Sequence, residues 1–377
     1  MKASLFLFIS AVAGCVTQPP TPDPFTTFTN NTVFVPDADY TSWRTIYGRS
    51  LQLADGSLLM TWEDYPPEPP LDAFPIYRST DGGATWGSYS SVVDTVNGWG
   101  MRYQPFLYTL PVSMGDYPAG TILAAGVSTP ANLSGAYIDL YASTDQAVTW
   151  AFVAHIAYGA GPETVTNGNQ AIWEPFLLHY DGQLVCFFSD QRDPLHAQKL
   201  SRLSSSNLTS WPTDSTDVVA YSTYTDRPGM ATIAHIQSKN DYILTYEYCG
   251  SADCTAYYRV ASSPLEFDSA TGNAVVSNDS SHSSPVGSPY VIWTNATGTD
   301  MVIMNGASQS ALFVNDDSVG VDGWRMVEVG QWASYSRQLR VIDDNGVQRL
   351  FIANGGNMVT LSTCNWVACG VVDLDLL

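Results

Sequence analysis

The sequence predicts an all-β fold, a six-bladed β-propeller, on three observations. A unit of two apolar strands joined by a polar turn recurs six times along the chain. A hairpin-turn motif of the form Ser-x-Asp-x-Gly-x-Thr-Trp follows several of these strand pairs. No segment sustains a helical hydrophobic period.

The strand pairs come in chain order. The first is Arg49–Leu53 with Leu58–Trp62, turning at Asp55-Gly56. Gln104–Tyr108 with Thr121–Ala125 is the second, and Glu174–Leu178 with Leu184–Phe188, turning at Asp181-Gly182, the third. Arg227–Ile233 with Tyr242–Tyr246 and Ser288–Trp293 with Met301–Met304 follow. The sixth is Arg337–Ile342 with Arg349–Ala353, turning at Asn345-Gly346. Spacings of roughly 50–70 residues are on the scale of a propeller blade. Continuous apolar runs within these strands suit burial on both faces.

The turn motif is intact at Ser79-Thr-Asp81-Gly-Gly83-Ala-Thr85-Trp86, an Asp box. Ser143 to Trp150 repeats it with Ala147 in the glycine place; Ser204 to Trp211 is a degraded copy and Asp316 to Trp324 a looser one. The Asp accepts backbone N–H bonds, the Gly supplies an unusual backbone angle, and the Trp packs beneath. These aspartates are therefore structural. They mark the turn between the third and fourth strands of a four-stranded blade.

Composition sets limits on function. The chain has 377 residues, 45 % hydrophobic, 12 % aromatic and only 14 % charged, enough for a large β core in one domain. A formal net charge of −21 repels nucleic-acid phosphates and anionic lipid, so no nucleic-acid or membrane partner is expected. A neutral or weakly charged substrate fits, and the same acidity serves solubility. Met1-Lys2, the apolar run Leu5 to Val12 and Ala13-Gly14 read as a signal peptide over 1–18. A Pro/Thr-rich linker over 19–27 and a single propeller domain over 28–377 follow. Val12-Ala13-Gly14-Cys15 also resembles a lipoprotein box. Sequons begin at Asn30, Asn132, Asn207, Asn278 and Asn295. Secretion, with glycosylation, is the expectation.

Cysteine spacing agrees with secretion. Cys249 and Cys254, and Cys364 and Cys369, are equally spaced pairs, each able to close a small disulfide loop. Zinc is the rival reading, but C-x2-C spacing and clustered histidines are missing. Cys186, inside Leu184–Phe188, reads as a buried free thiol.

The blade geometry places the chemistry. The start of a first strand and the end of a second strand share one face of the disc, and the Asp boxes lie on the other. Glu174 begins a first strand in the third unit and Glu247 ends a second strand in the fourth, so both belong to the front. Glu63 and Asp64 end the second strand of the first unit, as Asp190 does in the third. Two facing carboxylates suffice for glycosidic cleavage: one protonates the leaving oxygen and the other attacks carbon or activates water. Trp173, Tyr246 and Tyr248 flank them and exclude water. Trp62, Tyr65, Trp99 and Tyr103 near front loops offer rings to stack on sugar faces. The rival reading pairs either Glu with Arg102, Arg192 or Arg227.

At these residues the chain resembles glycoside hydrolase family 93, the exo-α-1,5-L-arabinanases, which are sialidase-like six-bladed propellers. The resemblance rests on the Asp boxes, Ile172-Trp-Glu174-Pro-Phe-Leu177, Ser189-Asp-Gln-Arg-Asp193, Asp226-Arg-Pro-Gly229 and Leu244-Thr-Tyr-Glu247-Tyr248. It implies a retaining enzyme that releases arabinobiose from the ends of linear arabinan. Glu174 would be the acid/base, Glu247 the nucleophile, and Tyr335 its neighbour. Arg49, Arg102, Arg192, Asp193, Arg227 and Arg337 would contact substrate, with Trp62, Trp99, Tyr103, Trp173 and Tyr246. A sialidase is the competitor, yet Tyr47-Gly-Arg49-Ser-Leu51 departs from its Phe-Arg-Ile-Pro pattern. A non-catalytic glycan-binding propeller is the other alternative. HExxH, P-loop and GxSxG motifs are missing, and Gly306-Ala-Ser308-Gln-Ser310 lacks the second glycine of a nucleophile elbow. No cofactor and no metal site are expected, and a monomer is. Ring closure stays open between Val33-Phe-Val35 joining the last blade and Gly370 to Leu377 completing it alone.

Overall fold

The computed structural model describes residues 18–161, 170–316, 319, 323–358 and 365–377. An N-terminal strand, β1 (Phe28–Phe34), precedes five complete blades, each a four-stranded antiparallel sheet in sequence order. Blade I is β2 (Thr45–Gln52), β3 (Leu58–Asp64), β4 (Ala73–Ser79) and β5 (Gly87–Val93). Blade II is β6 (Met101–Thr109), β7 (Ile122–Ser128), β8 (Ala136–Ser143) and β9 (Ala151–Gly159). Blade III is β10 (Ile172–Tyr180), β11 (Gln183–Asp190), β12 (Lys199–Ser205) and β13 (Thr216–Val219). Blade IV is β14 (Arg227–Ile236), β15 (Asp241–Cys249), β16 (Thr255–Ala261) and β17 (Asn273–Ala274). Blade V is β18 (Tyr290–Thr294), β19 (Met301–Asn305), β20 (Leu312–Asn315) and β21 (Trp324–Val327).

The ring closes by using both candidate segments. β22 (Gln338–Asp344), β23 (Val347–Asn354) and β24 (Val367–Asp373) form blade VI, and β1 pairs with β24 as its outer strand. The C-terminal strand alone would leave an unpaired edge; the N-terminal strand covers it and ties the two ends of the chain together.

Apolar residues on both faces of the middle strands pack blade against blade. Leu51, Leu59, Phe74, Ile76, Leu107 and Tyr141 join blades I and II in one buried cluster. The Asp boxes behave as local hydrogen-bond knots. Asp81 accepts the Thr85 amide at 2.9 Å and hydroxyl at 2.6 Å, Ser79 accepts the Gly83 amide at 2.9 Å, and Trp86 donates to the Gly83 carbonyl at 2.9 Å. Ala147 takes the glycine's left-handed conformation at φ 67°, despite its Cβ, and keeps the matching bonds. In the third copy Asn207 stands for the Asp, with Ser205 and Trp211 completing a turn one residue shorter. The loosest copy falls partly outside the described residues, but its Trp324 is buried.

Cysteine pairing needs one correction. Cys249 and Cys254 form a disulfide, and Cys186 is a buried free thiol. Cys369 is not bridged: it is a second buried free thiol, inside β24 opposite Asn31 and Ala353. A mid-strand side chain packed into the seam with blade I cannot turn toward a loop partner. Its expected partner, Cys364, lies outside the described residues.

Candidate active site

Six inner strands start with the same local distortion, and the site is built from it. Tyr47, Gln104, Glu174, Met230, Ser288 and Ser336 each adopt a positive φ, between 44° and 64°, at or just ahead of the first strand of a blade. In blades I to IV the residue sits in a register break of that strand: between Ile46 and Arg49, Tyr103 and Phe106, Trp173 and Phe176, and Gly229 and Thr232. A bulge frees one amide from the ladder and turns it toward the neighbouring blade. Non-glycine residues hold this conformation at a cost of about 1–3 kcal/mol each, so the surrounding sheet must enforce it.

The freed amides hold carboxylates. Gln104 of blade II donates to Glu63 of blade I, Met230 of blade IV to Glu174 of blade III, and Ser288 of blade V to Glu247 of blade IV, each at 2.9 Å. Ser189 adds a hydroxyl to Glu174 Oε2 at 2.6 Å, and Tyr65 one to Glu63 Oε2 at 2.6 Å. All three carboxylates line one front cavity of about 600 Å³. Tyr335, Arg227, Trp173 and Tyr103 line it too, together with both cysteines of the disulfide.

Glu174 and Glu247 meet across Gly229. A Cβ built on Gly229 would stand 3.4 Å from Glu247 Oε1 and 3.5 Å from Glu174 Oε2, which bounds the two oxygens at about 7 Å apart. Burial raises the Glu247 carboxyl, while the Ser288 amide and the Arg227 guanidinium pull it down. Burial raises Tyr335 well above an ordinary phenol, and Glu174 and Glu247 add to this, so it stays a neutral donor. Its hydroxyl lies 3.6 Å from Met230 Sδ.

Glu63 is a third ionisable group lining the cavity. Burial pushes it from 4.5 up to about 7; Tyr65, the Gln104 amide and Arg49 oppose this and Glu174 reinforces it. Between these values the folded chain holds a proton that the unfolded chain has released. Glu63 therefore stabilises the fold at acidic pH, and that contribution is lost as pH rises from about 4.5 through about 7. Glu63→Gln keeps an acceptor for the Gln104 amide. It is expected to flatten this part of the stability–pH curve and to gain up to about 3 kcal/mol on the parent above pH 7. Urea melts of both proteins from pH 4 to pH 8 check this; parallel curves would show that another group titrates there.

Solved structures at high similarity belong to one enzyme family. A glutamate-to-alanine variant of the α-L-arabinofuranosidase Arb93A from Fusarium graminearum, in complex with an iminosugar inhibitor, is 39 % identical, with a TM-score of 0.88 over 93 % of this chain and 98 % of that one. The GH93 α-L-arabinofuranosidase of Fusarium graminearum with arabinobiose is 39 % identical, with a TM-score of 0.87 over 93 % and 98 %. The chain belongs to glycoside hydrolase family 93. The α-L-arabinanase of Penicillium chrysogenum with arabinobiose agrees, at 41 % identity and a TM-score of 0.87 over 93 % and 99 %. A Hadza microbial sialidase, at 15 % identity and a TM-score of 0.56 over 92 % of this chain and 69 % of that one, shares the propeller fold. No family model and no curated protein matches the chain.

Several of the residues expected to contact substrate in this family 93 hydrolase do other things. Trp62 is fully buried, stacked on Phe34 and bonded to Asp64, because the strand alternation turns it into the seam between blades VI and I. Arg102 pairs with Asp72 and Glu68 and ties front loops together. Arg192 pairs with Asp190 at 2.7 Å, and Asp193 with Lys199 at 2.8 Å. Trp99 stacks on Tyr137 outside the cavity, and Tyr246 is buried with its hydroxyl on Tyr221. Arg337 is fully buried among backbone carbonyls. Arg49 lies under the floor, bonded to Ser336 and over the Tyr47 ring at 4.0 Å.

The motifs nonetheless have structural work. Asp226 accepts the Tyr248 hydroxyl at 2.5 Å and the Ser251 amide at 2.9 Å, which pins the Cys249–Cys254 loop beside Glu247. Trp43, Gln104 and Gln198 line the cavity without having been singled out. One signal was available for these positive-φ positions: Gln104, Glu174 and Ser288 each precede a proline. Proline has no amide to leave unpaired where the ladder breaks.

Proposed function

We propose that this hydrolase releases arabinobiose from the end of linear α-1,5-arabinan with retention of configuration, Glu247 serving as nucleophile and Glu174 as acid/base. The observation that carries the reading is the approach of both carboxylates to the same point over Gly229, inside a cavity with room for a disaccharide. Both family 93 proteins above hold arabinobiose. The bound of about 7 Å between these oxygens accommodates the ~5–5.5 Å separation of a retaining pair.

Glu247 attacks the anomeric carbon as its bond to the glycosidic oxygen breaks, and Glu174 gives that oxygen its proton. Water then attacks the same carbon, Glu174 takes the water's proton, and Glu247 departs as carboxylate. Two donors on Glu174 Oε2 fix the plane of that carboxyl. The Ser288 amide and Arg227 favour the ionised form of Glu247. Tyr335, neutral and enclosed beside Glu174 and Glu247, can turn its hydroxyl oxygen, rather than a charge, toward the carbon where positive charge develops. Arg227, the one cation lining the cavity among the described residues, already faces Glu174 and Glu247, so no arginine cluster is on offer to a sugar's own carboxylate, which disfavours a sialidase. The signal-peptide pattern over residues 1–18 supports secretion of the activity.

Incubation with linear α-1,5-arabinan, followed by chromatography and by proton NMR in the first minutes, tests it. The expected result is one disaccharide appearing first with the substrate's anomeric configuration. A ladder of longer products, or inverted sugar, would overturn the exo or the retaining part, and inertness toward arabinan the substrate assignment.

A further inference from the structure

A second front cavity, of about 240 Å³, lies beside the catalytic one and is lined by Trp332, Ser334, Asn354, Asn357, Asn365 and Trp366. The two share a wall. Ser334 and Asn357 face the second cavity while their chain neighbours Tyr335 and Met358 face the first. Asn365 donates at 2.8 Å to the carbonyl of Trp43, which also lines the first.

Trp332 is 40 % exposed, yet its backbone is held firmly. Its amide donates to Asn30 at 2.9 Å, and its carbonyl accepts Asn354 at 2.7 Å and Arg337 at 3.2 Å. Arg337 directs the rest of its fully buried guanidinium at carbonyls of the same loop and of residues 309–311. Trp366 stands edge-on to Trp332 at 5.3 Å and 85°. An exposed indole on so fixed a backbone is a preformed stacking surface, because little side-chain freedom is left to lose on binding. Asn354 is 4 % exposed, and its Oδ1 has no partner among the described residues. No charged side chain lines the cavity among the described residues. Rings that stack on C–H faces, asparagines that serve hydroxyls and the lack of charge describe a neutral sugar.

We propose that this cavity is an ancillary saccharide site, which holds an uncleaved part of the polysaccharide whose end occupies the catalytic cavity. The proposal rests on the arabinan reading above for the identity of the sugar. A concave, amide-lined cavity continuous with the catalytic rim suits a running polysaccharide chain better than a flat protein partner.

The test compares the parent with Trp332→Ala and Trp332→Tyr on arabinotriose and on polymeric arabinan, with gel retardation in immobilised arabinan as a second readout. For Trp332→Ala the expected result is a KM on polymer about tenfold higher and weakened retardation, with kcat on polymer and the arabinotriose kinetics near the parent's. Trp332→Tyr, which keeps a ring, recovers most of both. Equal retardation and equal polymer KM in all three proteins would overturn the site. A parallel loss on arabinotriose would instead make Trp332 a support of the catalytic cavity, and a dimer present in the parent but lost in Trp332→Ala would reassign the face to self-association. A parent that neither binds nor cleaves arabinan removes the substrate reading itself, an outcome distinct from the others.

Discussion

Replacing Glu247 with glycine is expected to lower kcat on arabinan by a factor on the order of 10⁴ or more, about 5 kcal/mol of transition-state stabilisation, with the propeller still folded. The fold should tolerate the change because Glu247, near the end of β15, lines the cavity and adds no apolar packing to the core. The Ser288 amide that it leaves can turn to water in the open cavity. Added azide would occupy the vacated space and restore turnover of an activated aryl arabinoside, giving a glycosyl azide of inverted configuration. Glu174→Ala should behave differently. General-acid loss is worth about 10²–10⁴-fold on arabinan and much less on a substrate whose leaving group needs no proton. Azide should then give a product of retained configuration. Identical behaviour of the two variants toward leaving group and azide would sink the division of roles between Glu174 and Glu247.

The other large effect is expected from one methyl group. Gly229→Ala puts a Cβ 2.8 Å from Gln198 Nε2, and within 3.5 Å of both catalytic carboxylates. Gly229 does not need a left-handed backbone, unlike its neighbour Met230, so the alanine itself carries no conformational penalty. The methyl nevertheless stands between the nucleophile that must reach the anomeric carbon and the acid that must reach the glycosidic oxygen, and Gln198 must yield. Its side chain accepts from Arg227 at 3.0 Å and donates to the Pro228 carbonyl at 2.9 Å, so the displacement spreads to the cation beside Glu247. Misplacement of reacting groups by about 1 Å costs about 10²-fold, and blocking the approach costs more. We expect kcat/KM to fall by about 10²–10³-fold while the melting temperature stays close to the parent's. Near-parental activity in Gly229→Ala would mean that substrate does not pass over this point, and would count against the proposed geometry.

What the sequence could and could not tell follows from the range of the interactions involved. Period-two strands, turn dipeptides and Asp boxes are local. Asp81 finds its partners within four residues, so the pattern can be read along the chain, and blade number and the front and back of the disc follow by counting. Glu174 and Glu247 could be picked out for the same reason, since strand ends are ordinal positions. Where long side chains go is a different matter. Trp62 turns into the seam with Phe34, Arg102 is taken up by Asp72 from the neighbouring blade, and Arg337 by carbonyls some 26 to 28 residues earlier. An arginine near the front reads alike in sequence whether it faces substrate or a carbonyl. Cys369 is similar: equal spacing of cysteines is a local sign, but the strand pairing that buries its thiol joins the two ends of the chain.

The all-β architecture, the six repeats and the carboxylates at the front were legible along the chain, because hydrophobic period and turn chemistry act between near neighbours. How those carboxylates are held depends instead on packing between blades. Each is fixed by an amide of a positive-φ residue at the entry to the next blade's first strand, some 41 to 56 residues away, and that contact exists only once neighbouring blades have packed.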